Sequence, residues 1–121
     1  MADQKFVIMV THGREDPERA TIPFVMGAAA LATEVDVVLG LQVEGVWLAR
    51  KGEADQISAA GFPPLAKLLA DFQELGGKIL VCSPCMKSRG VAPEDLVDGS
   101  EVVAAARFVA EIASATNSLV Y

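Results

Sequence analysis

Apolar residues fall in short runs, each ended by polar residues, Gly or Pro, and two periods are legible between those breaks. Lys5-Phe-Val-Ile-Met-Val10 is an apolar, partly β-branched run that reads as a central strand. It ends in Thr11-His-Gly-Arg-Glu-Asp-Pro17, a polar turn punctuated by Gly13 and Pro17. A helix is predicted from about Glu18 or Thr21 to Thr33, with Pro23 either in its first turn or bending its axis. Glu34-Val-Asp-Val-Val-Leu39 reads as a second strand, and Gln42 to Leu48 as a short third strand broken by Gly45. Residues 50–61 are polar and irregular and are expected to form the mobile loop. The period then changes. Leu65, Leu68, Leu69, Phe72 and Leu75 share one helical face opposite Lys67, Asp71 and Glu74, between Pro63-Pro64 and Gly76-Gly77. Lys78-Ile-Leu-Val-Cys82 is another buried strand, and Ser83 to Ser88 reads as the turn leaving it. Pro93-Glu-Asp-Leu96 resembles a single helical turn, Ser100 a cap for a helix from Glu101 to about Ser114, and Ser118 to Tyr121 a last strand.

Strands alternating with helices predict an α/β fold. One domain over residues 1–121 is expected, in three layers, with a mostly parallel sheet of about five strands covered by helices on both faces. No repeat, low-complexity tract or linker divides the 121 residues, a length that suits one domain. Hydrophobic residues make up 52%, which argues against disorder and predicts some apolar surface buried between subunits. The longest uncharged apolar stretch, Ile22 to Ala32, is well short of the roughly 20 residues of a membrane span. The opening Met-Ala-Asp-Gln-Lys has no signal-peptide pattern, so a soluble cytoplasmic protein without a membrane partner is expected. Net charge is −6 and the ten cations are scattered, unlike the basic stripe of a nucleic-acid binder.

The candidate chemistry lies in Cys82-Ser-Pro-Cys85, which holds both sulfurs of the two cysteines at one strand-to-loop junction, with Lys87 and Arg89 close behind. Thiols react as thiolates, and nearby cations favour ionisation. In a cytosolic chain this spacing points to redox, sulfur-transfer or metal chemistry rather than a structural disulfide. A closed zinc site lacks ligands, because His12 is the only histidine, and neither metal nor cofactor is assigned. Cys82 is read as a thiolate that takes up sulfane sulfur as a persulfide, against the alternative of a small buried hydrophobe. Cys85 either resolves that persulfide with release of sulfide, carries sulfur itself, or is inert. Lys87 and Arg89 supply positive potential, and Arg89-Gly90 fits an anion-binding turn as well as an ordinary surface turn. His12 is a candidate proton shuttle or thiolate partner, or simply a solvated imidazole. In open parallel sheets ligands gather beyond the carboxyl ends of the strands, so the His12 and Cys82 turns are expected to build one site.

Two other functions stay open on the residues. Cys-x-Pro-Cys invites comparison with thioredoxin, where the motif comes early and opens a long helix. Here it comes late, and Gly90, Pro93 and Gly99 interrupt the segment after it, so a thiol-disulfide reductase is the runner-up. A third class is a non-catalytic oligomeric binding or metal-holding module. Trp47 and Phe62 read as core or subunit-contact aromatics, and Glu53, Asp55, Glu94 and Asp95 as solvated charge.

The chain resembles the small DsrE/DsrF-like proteins, including TusD-type sulfur-relay subunits and their Cys-x-x-Cys relatives. Thr11-His-Gly-Arg-Glu-Asp-Pro-Glu-Arg-Ala20 looks like that family's first loop and helix, Glu44-Gly45-Val46 its mid-chain segment, and Leu96 to Val102 the approach to its last helix. Val81-Cys-Ser-Pro-Cys-Met-Lys-Ser-Arg-Gly90 carries the most specific match: a cysteine after a strand, with Arg-Gly seven and eight residues on. The resemblance implies a doubly covered parallel sheet, assembly as homotrimers or homohexamers, and Cys82 as sulfur acceptor. It also implies persulfide transfer between donor and acceptor proteins, in sulfur oxidation or tRNA thiolation. Cys85 departs from the single-cysteine TusD type and matches members with two.

Overall fold

The computed structural model describes residues 3–121. Its strands are β1 (Lys5–Val10), β2 (Asp36–Leu41), β3 (Lys78–Cys82), β4 (Ser100–Val103) and β5 (Asn117–Val120). All are parallel and lie side by side in the order β4-β3-β2-β1-β5. The helices are α1 (Pro17–Ala32), α2 (Leu65–Glu74), α3 (Ser83–Arg89) and α4 (Ala105–Ala113). β1 to β3 form the centre of the sheet and need side chains that bury on both faces, which is what their continuous apolar runs supply.

Register sorts the two faces. Ile8, Leu39 and Ile79 align on one, and Met9, Gly40 and Leu80 on the other. α1 and α2 cover the first face: Phe24 and Phe72 meet edge to face at 5.9 Å, and a side chain on Gly27 would run into the Phe72 ring. α4 covers the second, where a Cβ on Gly40 would lie 2.8 Å from the Phe108 ring. The result is the expected three-layer α/β fold, with a fully parallel sheet of five strands. Among the described residues no helix is long and apolar enough to cross a membrane.

Several local expectations are corrected. Residues 42–48 do not form a strand; Val43–Ala49 winds into a 3₁₀ segment instead. β2 already pairs on both edges, so the chain leaving it has no ladder to join and folds back over the end of β1. Gly45 allows this close approach, because a Cβ there would collide with the Val10 carbonyl. Ser100 does not cap a helix. Ser100-Glu-Val-Val103 pairs with Ile79–Cys82 along the free edge of β3, and the helix starts only at Ala105. β2 spans 36–41 rather than 34–39, Glu34 being a turn residue with φ 67°. Residues 50–61 are tied to the core through buried Glu53, Ala54, Ile57 and Ala59, and the Ile57 carbonyl accepts the Leu65 N–H at 3.1 Å. Ser83–Arg89 is a short helix rather than a turn, closed by Gly90 at φ 71°.

Candidate functional site

β1, β2 and β3 end side by side, and the segment leaving each contributes to the carboxyl edge. β3 delivers Cys82, its last residue, straight into α3, with Pro84 in the first turn where its missing N–H is harmless. Cys85 stands three residues on, in the first turn of α3, close enough for its backbone N–H and thiol to act on the ionisation of Cys82. Both cysteines are free; Cys82 is buried at 8% exposure, while Cys85 is half-buried. Burial pushes the Cys82 thiol above its ordinary value. The Cys85 N–H and the Arg89 charge pull the other way without overcoming it. Cys82 therefore rests as a thiol facing the protein, which differs from the exposed thiolate expected for a sulfur acceptor.

Arg89 comes back toward the motif from the end of α3. One guanidinium nitrogen donates to the Cys85 carbonyl at 3.3 Å and to the Ser88 hydroxyl at 3.1 Å, and Nε pairs with Glu44 at 3.0 Å. Part of its charge is thus balanced by a carboxylate. Lys87 is exposed on α3. Gly90 closes the helix: its N–H bonds the Lys87 carbonyl at 3.3 Å, while the next N–H, of Val91, reaches Met86 at 3.0 Å. That N–H is spent on the helix rather than offered to an anion.

β1 delivers His12. Its Nδ1 bonds Glu15 at 2.6 Å, and the other Glu15 oxygen accepts the Gly13 N–H. Burial raises the Glu15 carboxyl, but the bonds from His12 and Gly13 outweigh it and hold the group below its ordinary value. A carboxylate on Nδ1 fixes the ring and leaves Nε2 as the nitrogen presented outward. No hydrogen bond among the described residues joins His12 to either cysteine. β2 separates their strands, and two strand spacings put the ends of β1 and β3 about 10 Å apart. The two turns share an edge but form no thiolate–imidazole pair.

The link between them is the 3₁₀ segment. Gly13 packs on the Glu44 carbonyl, 2.6 Å from where a Cβ would stand, while the Glu44 carboxylate holds Arg89. Beside it, Glu53 is 4% exposed and held by Arg14 and Arg50, each at 3.0 Å, with Arg50 stacked 4.7 Å over Trp47. This overturns the reading of Glu53 as solvated charge: two guanidiniums make burial of one carboxylate tolerable. Arg14, Glu15, Glu44, Trp47, Arg50 and Glu53 line an open cavity of about 350 Å³. Glu15 and Glu44 were given no role from the sequence, and Glu53 was given the wrong one. Glu15 leaves a local signal, standing three residues after His12, and so does Arg50 three residues before Glu53. Arg14 on Glu53 and Arg89 on Glu44 come from far away along the chain.

A model of the DsrE/DsrF-like family matches residues 4–121. The chain is 34% identical to the uncharacterized protein MJ0760 of Methanocaldococcus jannaschii over 107 residues, covering 88% of this chain and 38% of that protein. It thus spans little more than a third of that relative's length. The uncharacterized protein MJ0989 of the same organism is 28% identical over 117 residues, 97% of this chain and 99% of that one. Among solved structures, the ychN protein from E. coli superimposes with a TM-score of 0.82 at 20% identity, over 98% of this chain and 99% of that chain. MTH1491 from Methanobacterium thermoautotrophicum, a protein of unknown function, gives 0.79 at 15% identity, over 98% and 100%. These two likenesses are of fold.

Proposed function

The chain belongs to the DsrE/DsrF-like family, and from that premise we propose that it is a sulfur carrier or sulfurtransferase, relaying sulfane sulfur as a persulfide on the Cys82/Cys85 pair. The observation that carries this reading is the pair itself: two free thiols three residues apart at the carboxyl edge of the central strands, with the Arg89 guanidinium on the Cys85 carbonyl. A persulfide ionises more readily than its parent thiol and needs positive potential nearby. Arg89 is placed to supply it, with Lys87 on the same helix. His12, oriented by Glu15, serves as the proton-handling group on the far side of the 3₁₀ segment once a partner bridges the gap. Donor and acceptor are proteins presenting a cysteine or its persulfide, in sulfur oxidation or in thiolation. The working form is a homo-oligomer, a trimer or a hexamer, joined through the apolar outer face of α4, where Val109 and Ile112 are exposed. The Cys-x-x-Cys spacing, with both thiols free, also supports a second reading, a small thiol-disulfide reductase cycling through Cys82–Cys85.

Intact mass after incubation of the reduced protein with inorganic polysulfide tests the choice. A gain of one or more sulfur atoms, reversed by dithiothreitol and absent from the Cys82→Ser/Cys85→Ser double variant, is the expected result. An unchanged mass together with dithiol-driven insulin reduction would replace the carrier with the reductase.

A further inference from the structure

Cys82 and Cys85 share a motif but not an environment. Cys82 ends a buried strand and points to the same sheet face as Leu80, at 8% exposure. Cys85 stands in the first turn of α3 and is partly exposed, more so than Cys82. Its carbonyl is held by Arg89, which Glu44 ties in turn to the 3₁₀ segment, so the outer thiol rides on a braced turn. The geometry points to a division of labour: Cys85 receives sulfane sulfur from an alkyl or protein persulfide, and Cys82 then attacks the Cys85 persulfide from the protein side, expelling hydrosulfide and closing a Cys82–Cys85 disulfide. This rests on the persulfide reading above and adds to it an order of use, a product and a branch point.

The chemistry balances in two steps. First, the Cys85 thiolate attacks the outer sulfur of R–S–SH. The donor S–S bond breaks, a new S–S bond forms on Cys85, and RS⁻ leaves and takes up a proton, with no net redox change. Second, Cys82 gives up its proton and its sulfur bonds Cys85 Sγ. The bond from Cys85 to the outer sulfur breaks, and the electron pair departs with that sulfur as HS⁻. The two thiols are oxidised together by two electrons, and the sulfane sulfur is reduced to sulfide. A dithiol reductant returns the disulfide to two thiols and completes the cycle.

Three features favour this order. A donor persulfide on a protein or small thiol meets the outer cysteine first, because Cys82 offers it almost no surface. Burial keeps Cys82 protonated at rest, so it does not compete for the donor. Once Cys85 is loaded, the attack by Cys82 is intramolecular and needs no diffusion. Cys82 caps the helix whose first turn carries Cys85, so the two thiols are held within one turn of each other, the spacing at which a disulfide can close. An acceptor that reaches Cys85 before Cys82 attacks takes the sulfur onward; without an acceptor the product is sulfide. The pair thus sets how long sulfur is held.

The test uses reduced full-length protein and N-acetylcysteine persulfide as probe, whose leaving group is a thiol and not sulfide. Intact mass, peptide mapping after alkylation and free sulfide above a protein-free blank are read together. Wild type is expected to release one sulfide per chain and lose two hydrogens as the disulfide closes. Cys82→Ser is expected to keep one added sulfur, mapped to Cys85, and to release no burst. Cys82→Ala serves the same purpose if a hydroxyl at a buried position unfolds the chain. Cys85→Ser should load at least about tenfold more slowly at neutral pH, its remaining thiol being buried and protonated. Loading of Cys82 in Cys85→Ser at the wild-type rate overturns the order of use while leaving the carrier reading intact. Sulfur on none of these proteins overturns the carrier reading and this inference with it.

Discussion

The two faces of the sheet are finished to different degrees. Under α1 and α2, the rings of Phe24 and Phe72 and the side chains of Leu65, Leu68 and Leu69 bury against the strands, while Met26 and Leu75 stay exposed at 41% and 50%. Over the opposite face, α4 buries only Phe108 and is pinned at its flank by charge: Arg107 bonds Glu101 and Glu111 at 2.7 Å each, and Lys5 reaches Glu111 at 2.6 Å. Val109 at 65% exposure, and Val120 at 72% on the neighbouring edge strand, remain in water. One layer buries four helical side chains and more in the core; the other buries Phe108 alone and leaves Val109 and Ile112 exposed. Register places Cys82 on this second face, so in the proposed assembly a subunit laid over α4 would also lie on the cysteine side of the sheet.

The contrast breaks most decisively at Phe72. Phe72→Ala should destabilise the chain by about 3–5 kcal/mol in a denaturant titration, whereas Val109→Ala should change monomer stability by less than about 0.5 kcal/mol. Equal losses would erase the distinction between the faces. Next in size is Val109→Glu. It is expected to leave the far-ultraviolet spectrum and thermal unfolding of the monomer nearly unchanged. The assembly, followed by size exclusion with light scattering, should fall to the 12.7 kDa chain. A wild-type protein that already runs as a monomer removes the proposed role of the apolar face.

The smallest effect concerns pH. Burial raises the Cys82 thiol, so the folded chain binds that proton more tightly than the unfolded chain does. The associated stability is fully present below the ordinary thiol pKa of 9.0 and is lost as pH climbs through the raised folded value. Cys82→Ala should flatten that alkaline decline. In wild type, alkylation of Cys82 should lag behind that of Cys85 until well into alkaline solution. Equal alkylation rates for the two thiols at neutral pH would contradict their unequal burial.

The features legible in the chain alone share a physical basis. The runs Lys5–Val10 and Lys78–Cys82, the 3.6-residue period from Leu65 to Glu74, and the placing of both sulfurs at the end of a strand are local properties, carried by side-chain pattern and turn chemistry. The family's folding class was legible for the same reason. Ser100–Val103 shows the limit: a serine before a charged, apolar stretch matches a helix cap as well as a strand, and the open edge of β3 decides between them. Val43–Ala49 shows it again, since nothing local says that both edges of β2 are already occupied.

The residues themselves determined that this is a parallel α/β chain with two thiols at one strand end and cations a turn away. Tertiary structure decided how those groups are used. Which sulfur faces water, that Glu44 takes Arg89, that Arg14 reaches across to the buried Glu53, and that β2 keeps His12 apart from the cysteines depend on contacts between segments far apart in the chain. Local pattern sets the secondary structure, but burial and ion pairing are set by what the rest of the fold brings alongside.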